Sequence, residues 1–209
     1  MSRLTALLGG TALVVVLGVS AYFALAPRGA GEDRFAQCRE TTIAGGSNAI
    51  GGPFELVDGT GKTRRDSDVI TGPTLIYFGY TFCPDVCPLD VARNADAVAL
   101  LEEQDGIEAT PVFITIDPAR DTPEVVGEYA SIMHDRMIGL TGTPEQVKAA
   151  SQAYKTYYKA HEAEDEFYLV DHSTFSYLAF PEEGVVEIFR RDMDSQSLAN
   201  SMKCFAESV

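Results

Sequence analysis

The sequence predicts an α/β sandwich standing behind an N-terminal membrane span. Three observations carry that expectation. Leu4–Ala26 is an uncharged apolar run, strand-like and helix-like segments alternate from Phe54 onward, and a late strand pair is followed by a closing helix.

The run Leu4–Ala26 is rich in Leu, Val and Ala, and about 20 such residues suffice to cross a bilayer as a helix. A cleaved leader is the competing reading, because Ala24-Leu25-Ala26 has a small-x-small pattern. The run outlasts the roughly 7–15 apolar residues of a leader core, and Pro27 would sit just beyond the cut, where its ring makes a poor protease substrate. Residues 1–26 are therefore expected to be a retained transmembrane anchor. Arg3 precedes the span, while Arg28 and Arg34 follow it beside Glu32 and Asp33; the long acidic remainder is expected outside. Residues 27–52 open with Pro27-Arg28-Gly29-Ala30-Gly31 and carry Gly45-Gly46-Ser47-Asn48 near their end, a composition expected of a flexible linker. Residues 53–209 are the expected domain.

Within it, Phe54–Val57 is a short strand closed by the turn signal Asp58-Gly59. Thr74–Tyr80 is apolar and aromatic, of strand length and suited to burial. A helix is expected from near Pro84 to Glu103, with Val91, Ala95, Val98 and Leu101 along one face. Pro111–Ile116 is β-branched and ends in the turn pair Asp117-Pro118. Thr122-Pro123-Glu124 and Thr143-Pro144-Glu145 each place an N-cap before Pro at the first helical position, predicting helices to Met133 and to about Tyr158, with a brief strand at Met137–Leu140 between them. Phe167–Val170, Phe175–Phe180 and Val185–Arg190 are later strands, and Ser195–Ala206 closes the chain as a helix. A thioredoxin-like sandwich satisfies this order.

The chain carries a net charge of −15, so it offers no basic stripe to phosphates and nucleic acid is not an expected partner. Most of that acidity is read as solubility.

Chemistry concentrates in Cys83-Pro84-Asp85-Val86-Cys87, where a buried strand passes into a helix. Residues four apart on a helix face the same way, so two sulfurs here can share a metal ion or close a disulfide with local adjustment. A helix N-terminus favours thiolate. Three intervening residues, where thiol exchange usually has two, leave both uses open. A purely structural bridge gains little from so short a loop. Of three histidines, His134 and His161 read as solvated surface. His172, in Asp171-His172-Ser173 between two strands, reads in isolation as a satisfied loop histidine.

Phe78-Gly79-Tyr80-Thr81-Phe82-Cys83-Pro84-Asp85-Val86-Cys87-Pro88 resembles the signature of the Sco/SenC family. Ile116-Asp117-Pro118-Ala119-Arg120-Asp121-Thr122-Pro123 is similar to a second family block, and Tyr157-Tyr158 with Val170-Asp171-His172-Ser173 to a third. The resemblance runs from about Gly52 to the C-terminus. It implies a copper metallochaperone for cytochrome c oxidase, with Cys83, Cys87 and His172 as metal ligands. Thiolates with an imidazole suit Cu(I), and with added hard ligands the same set holds Cu(II). Phe82 departs from the histidine of many relatives. Asp117 and Asp121 resemble family acidic positions but read first as structure, a turn residue and a residue just before a helix cap. Tyr77, Phe78, Tyr80 and Phe82 read as strand and loop packing.

Cys38 and Cys204 remain. The oxidising compartment that the resemblance implies, and an even cysteine count, suggest a disulfide between them. Two free cysteines are the alternative, and pairing of Cys38 with Cys83 would disable the site. The implied location is the outer face of a membrane, in a bacterial periplasm or mitochondrial intermembrane space. The implied partners are the copper-centre subunit of the oxidase and a thiol reductant or upstream copper donor. A thiol–disulfide oxidoreductase using Cys83 and Cys87 as a redox-active pair, and a redox or copper sensor, are the competing functions. The fold decides none of this; His172 favours copper, because disulfide exchange has no need of a distant imidazole.

Overall fold

The computed structural model describes residues 33–39, 49–161 and 167–209. The expected anchor at 1–26 lies outside those residues, and among the described ones no helix is long and apolar enough to cross a membrane.

The chain builds β1 (Glu55–Asp58), β2 (Thr63–Arg65), α1 (Asp66–Val69), β3 (Thr74–Gly79), α2 (Val86–Asp105), β4 (Thr110–Thr115), α3 (Pro123–Met133), β5 (Ile138–Thr141), α4 (Pro144–Ala153), β6 (Tyr158–Ala160), β7 (Val170–His172), β8 (Ser176–Phe180), β9 (Gly184–Phe189) and α5 (Ser195–Ala206). One sheet runs in the order β2-β1-β5-β4-β3-β8-β9, and β6 pairs with β7 separately. β3 is parallel to β4 and β4 to β5, whereas β8 joins β3 antiparallel and β9 joins β8 antiparallel. A βαβ unit followed by a β-hairpin and helix is the thioredoxin-like core that the element order predicts.

Strand β3 has no polar alternation, and all six of its residues are buried, as a central strand covered on both faces requires. On the neighbouring hairpin, Leu178 and Val186 join one apolar cluster while Tyr177, Ala179 and Val185 join the other, the period-two alternation of a strand with two covered faces. The first cluster brings in Val98 and Leu101 of α2 with Leu198, Met202 and Phe205 of α5. The second brings in Val126 of α3, Val147 and Ala150 of α4, and both site cysteines.

The caps form as their sequences require. Thr122 Oγ1 accepts from Val125 N, and Thr143 forms a reciprocal capping box with Gln146, each ahead of a proline at the first helical position. Helix α2 ends at Gly106, whose φ of 68° only glycine adopts without strain.

Several boundaries differ from the sequence expectation. Helix α2 begins at Val86, so Pro84 precedes it and Pro88 lies in its first turn. Helix α4 stops at Ala153, with Lys155 following at φ 54°, and Tyr158 enters β6 instead of continuing the helix. The strand expected at Phe167–Val170 starts only at Val170 and carries Asp171 and His172, while Phe167 and Leu169 before it are 82% and 53% exposed. The short, polar β2 and α1 have too little hydrophobic pattern to be read in advance.

The unit containing this sheet begins at Phe35, inside the stretch expected to be linker. Phe35 is buried and faces Phe205 at 5.5 Å and Phe180 at 6.4 Å, while Arg39 donates to Val186 O at 2.7 Å. Cys38 is joined to Cys204 by a disulfide across a sequence separation of 166. In the chain-entropy account, closing so long a loop contributes up to about 5 kcal/mol, enough to hold a short segment on the domain.

Candidate metal centre

Strand β3 delivers the chain to the C-terminal edge of the sheet, the usual place for a site in an open α/β fold. A tight turn, with Cys83 N–H donating to Tyr80 O at 3.2 Å, then carries it to α2. Cys83 lies before the helix and Cys87 in its first turn, so the two sulfurs are not on one helix face as the spacing suggested. Cys87 N–H, one of the backbone donors left over at a helix start, donates to Cys83 Sγ at 3.2 Å. Gly79 makes room beneath them: a Cβ there would lie 3.1 Å from Cys87 Sγ and 2.9 Å from the Tyr77 ring.

His172 arrives from the small β6–β7 ribbon, paired in register with Tyr158. Sγ of Cys83, Sγ of Cys87 and a ring nitrogen of His172 all lie within 4.8 Å of one another, with Cys87 Sγ 3.2 Å from His172 Nε2. Nδ1 lies 2.8 Å from Ser173 O. A carbonyl only accepts, so Nδ1 carries the proton and Nε2 presents its lone pair to the sulfurs. Tyr77 and Tyr80 meet the imidazole edge-on, at 6.2 Å and 5.9 Å between centroids, and hold its plane.

Burial sets the protonation of this cluster. It pushes the Cys87 thiol well above its ordinary range, with the neighbouring Cys83 adding to the effect, and it lowers the His172 pKa. For Cys87 this overturns the expectation that the helix N-terminus makes a ready thiolate: with 0% of its surface exposed, desolvation outweighs the helix field. Cys87 is a neutral thiol donating to a neutral imidazole. Cys83, 9% exposed, is the sulfur nearer to solvent.

The other titratable residues weighed in the sequence fall elsewhere. His134 caps α3 and accepts from Arg136 N at 3.1 Å, and His161 pairs with Asp171 at 2.9 Å on the surface. Asp117 and Asp121 are both buried. Asp117 pairs with Arg120 and accepts from Tyr168 OH at 2.6 Å. Phe82, read as packing, is instead 52% exposed and lies 4.9 Å from the Arg120 guanidinium.

Beneath the cysteines sits a group that the sequence reading missed. Asp90 is 3% exposed, accepts from Tyr77 OH at 3.0 Å and lies 3.5 Å from Arg191 Nε. The available signal was a carboxylate and Asn94 interrupting the apolar face of α2, since a buried charge survives only when paired.

Residues 43–207 match the family model described as SCO1/SenC. The chain is 50% identical to Protein SenC of Rhodobacter capsulatus over 208 residues, 100% of this chain and 92% of that protein. It is 41% identical over 157 residues to Protein SCO1 homolog 1, mitochondrial, of Arabidopsis thaliana, covering 75% of this chain and 47% of that one, so the match spans about half of that relative's length. The crystal structure of Arabidopsis thaliana ScoI with copper bound superposes with a TM-score of 0.72 at 41% identity, covering 76% of this chain and 99% of that structure.

Proposed function

The chain belongs to the SCO1/SenC family, and from that premise we propose that it is a copper metallochaperone whose ligands are Cys83, Cys87 and His172. The observation that carries the reading is the convergence of two sulfurs and an imidazole nitrogen within 4.8 Å. Two soft donors and one borderline donor fit Cu(I), and a site that accepts a further hard ligand also serves Cu(II). His172 fits a ligand's role in detail, because its Nδ1–H is already engaged by Ser173 O and its Nε2 faces the sulfurs. The copper-bound Arabidopsis relative supports the same choice of metal.

Copper is the cargo in this reading. The reduced pair takes it up and passes it by ligand exchange to the binuclear copper centre of a cytochrome c oxidase subunit. A thiol reductant or upstream donor prepares the pair. Loading displaces the Cys87 proton, since a metal-bound sulfur is a thiolate.

Anaerobic titration of the reduced full chain is expected to saturate at one copper per chain. Oxidised glutathione converts the pair to a disulfide and releases two reduced glutathiones. Uptake is then expected to collapse, and to return on reduction. Equal uptake in the two states, with thiol counts verifying each, would exclude these sulfurs as ligands.

The proposal places the domain outside the cytoplasm behind the Leu4–Ala26 anchor. Membrane fractions are expected to retain a chain that keeps its N-terminal residues; a mature form beginning at Pro27 would replace the anchor with a cleaved leader.

A thiol–disulfide oxidoreductase is the second reading. What favours it is Cys83, which is nearer to solvent than its buried partner Cys87, the arrangement that lets one sulfur attack an external disulfide and the other resolve.

A further inference from the structure

Asp121 has none of its surface exposed, and a buried carboxylate must spend its lone pairs on donors. Three donors supply them, and two belong to one residue. Thr81 N–H donates to Oδ2 at 3.0 Å, the Thr81 hydroxyl donates to Oδ1, and the Thr115 hydroxyl donates to Oδ2. The backbone of Asp121 is itself fixed. Its N–H donates to Asp117 O at 3.0 Å, and its carbonyl accepts the Thr141 hydroxyl at 2.7 Å. The carboxylate is thus anchored on the ends of β4 and β5 and reaches across to grip the residue that follows the end of β3 by two positions.

That residue lies two before Cys83, within the same turn in which Cys83 N–H is bonded to Tyr80 O. Fixing both the amide and the hydroxyl of Thr81 removes its freedom to rotate, and Cys83 is carried on the next two backbone links. From the same loop Arg120 covers the intervening Phe82 at 4.9 Å. Burial alone would be satisfied by donors from the sheet, such as Thr115; the grip on Thr81 spends the carboxylate on the cysteine turn.

Building on the copper reading of the site, we infer that Asp121 is a positioning residue for Cys83, holding its sulfur in ligating place through a two-point grip on Thr81. The grip favours the open dithiol over the disulfide. Cys83 and Cys87 stand as free thiols in the turn so held, and a bridge would impose its own geometry, with Cβ atoms about 3.8 Å apart, on a turn fixed at Thr81.

The test compares Thr81→Val, Thr81→Ser and Asp121→Asn in the full chain. Three quantities are measured: copper affinity by anaerobic competition, the equilibrium of the Cys83–Cys87 pair with glutathione, and the melting temperature. In the redox equilibrium, two thiols and one oxidised glutathione give the internal disulfide and two reduced glutathiones. Thr81→Val and Asp121→Asn are expected to lower copper affinity about 10-fold, as loss of a group supporting a ligand does. They are expected to shift the glutathione equilibrium toward the disulfide about three- to tenfold, the worth of one hydrogen bond. Thr81→Ser keeps the hydroxyl and is expected to match the parent in both. Thr81→Val carries the test if Asp121→Asn does not fold. Parental copper and glutathione constants in Thr81→Val, with or without a lower melting temperature, overturn the inference. If the parent chain takes up no copper while Thr81→Val still shifts the glutathione equilibrium, the copper reading fails and the positioning role stands.

Discussion

Cys87→Ala is expected to lower copper affinity by more than about 100-fold, beyond the roughly 10–100-fold cost of losing a group that only supports a ligand. It should also remove the sulfur-to-copper charge-transfer band of the Cu(II) form. Cys87 is the donor that the fold encloses most completely: it has 0% of its surface exposed, Gly79 lies beneath it, and its Sγ is 3.2 Å from His172 Nε2. The substitution deletes a single buried atom, so its cavity is small and the domain should stay folded. Circular dichroism and a melting curve separate lost binding from lost structure. Cys83→Ala acts in the same direction, and it also strips the acceptor from Cys87 N–H, at a cost of about 0.5–1.5 kcal/mol. Titration with absorption spectroscopy checks both variants. A double mutant that still held one tight, sulfur-ligated copper would refute the assignment.

How far the site could be read from sequence follows from which interactions are local. Cys83 and Cys87 announce themselves by spacing at the end of an apolar run, and the capped helices α3 and α4 begin where Thr-Pro-Glu places them. His172 could not be placed by pattern, because a three-residue strand brings it to the sulfurs across a sequence separation of 85; only its resemblance to a family block singled it out. The protonation of Cys87 was misjudged for a related reason. The helix N-terminus is visible in the sequence, whereas the enclosing Gly79, Tyr77 and His172 are a product of tertiary packing. Asp121 reads as a residue before a helix cap until β5 and the cysteine turn are brought beside it. The apolar run 167–170 shows the opposite failure. Its hydrophobicity suggested a strand from Phe167, yet the strand begins only at Val170, and Phe167 and Leu169 face solvent beside a β6–β7 ribbon separate from the main sheet.

His172→Ala separates the chaperone from the reductase. In the copper reading it removes one of three donors and leaves two sulfurs without the imidazole that completes their geometry, so affinity should again fall by more than about 100-fold. In the reductase reading the step that matters is attack on an external disulfide, whose rate depends on thiolate fraction and access. Cys83 is the sulfur nearer to solvent, and the hydrogen bond of His172 goes to Cys87 instead. Reduction of a model disulfide by the reduced full chain should therefore change by only a few-fold, about the worth of one hydrogen bond. With exchange largely retained in either reading, copper uptake measured on the same preparation separates the two functions. Loss of copper uptake with exchange retained, and loss of oxidase copper loading in cells expressing the variant, support the chaperone. Retained copper uptake and oxidase assembly in His172→Ala would remove the imidazole from the site. The pair Cys83 and Cys87 would then be better explained as a thiol–disulfide reductase, for which a distant histidine on a separate ribbon has no required part.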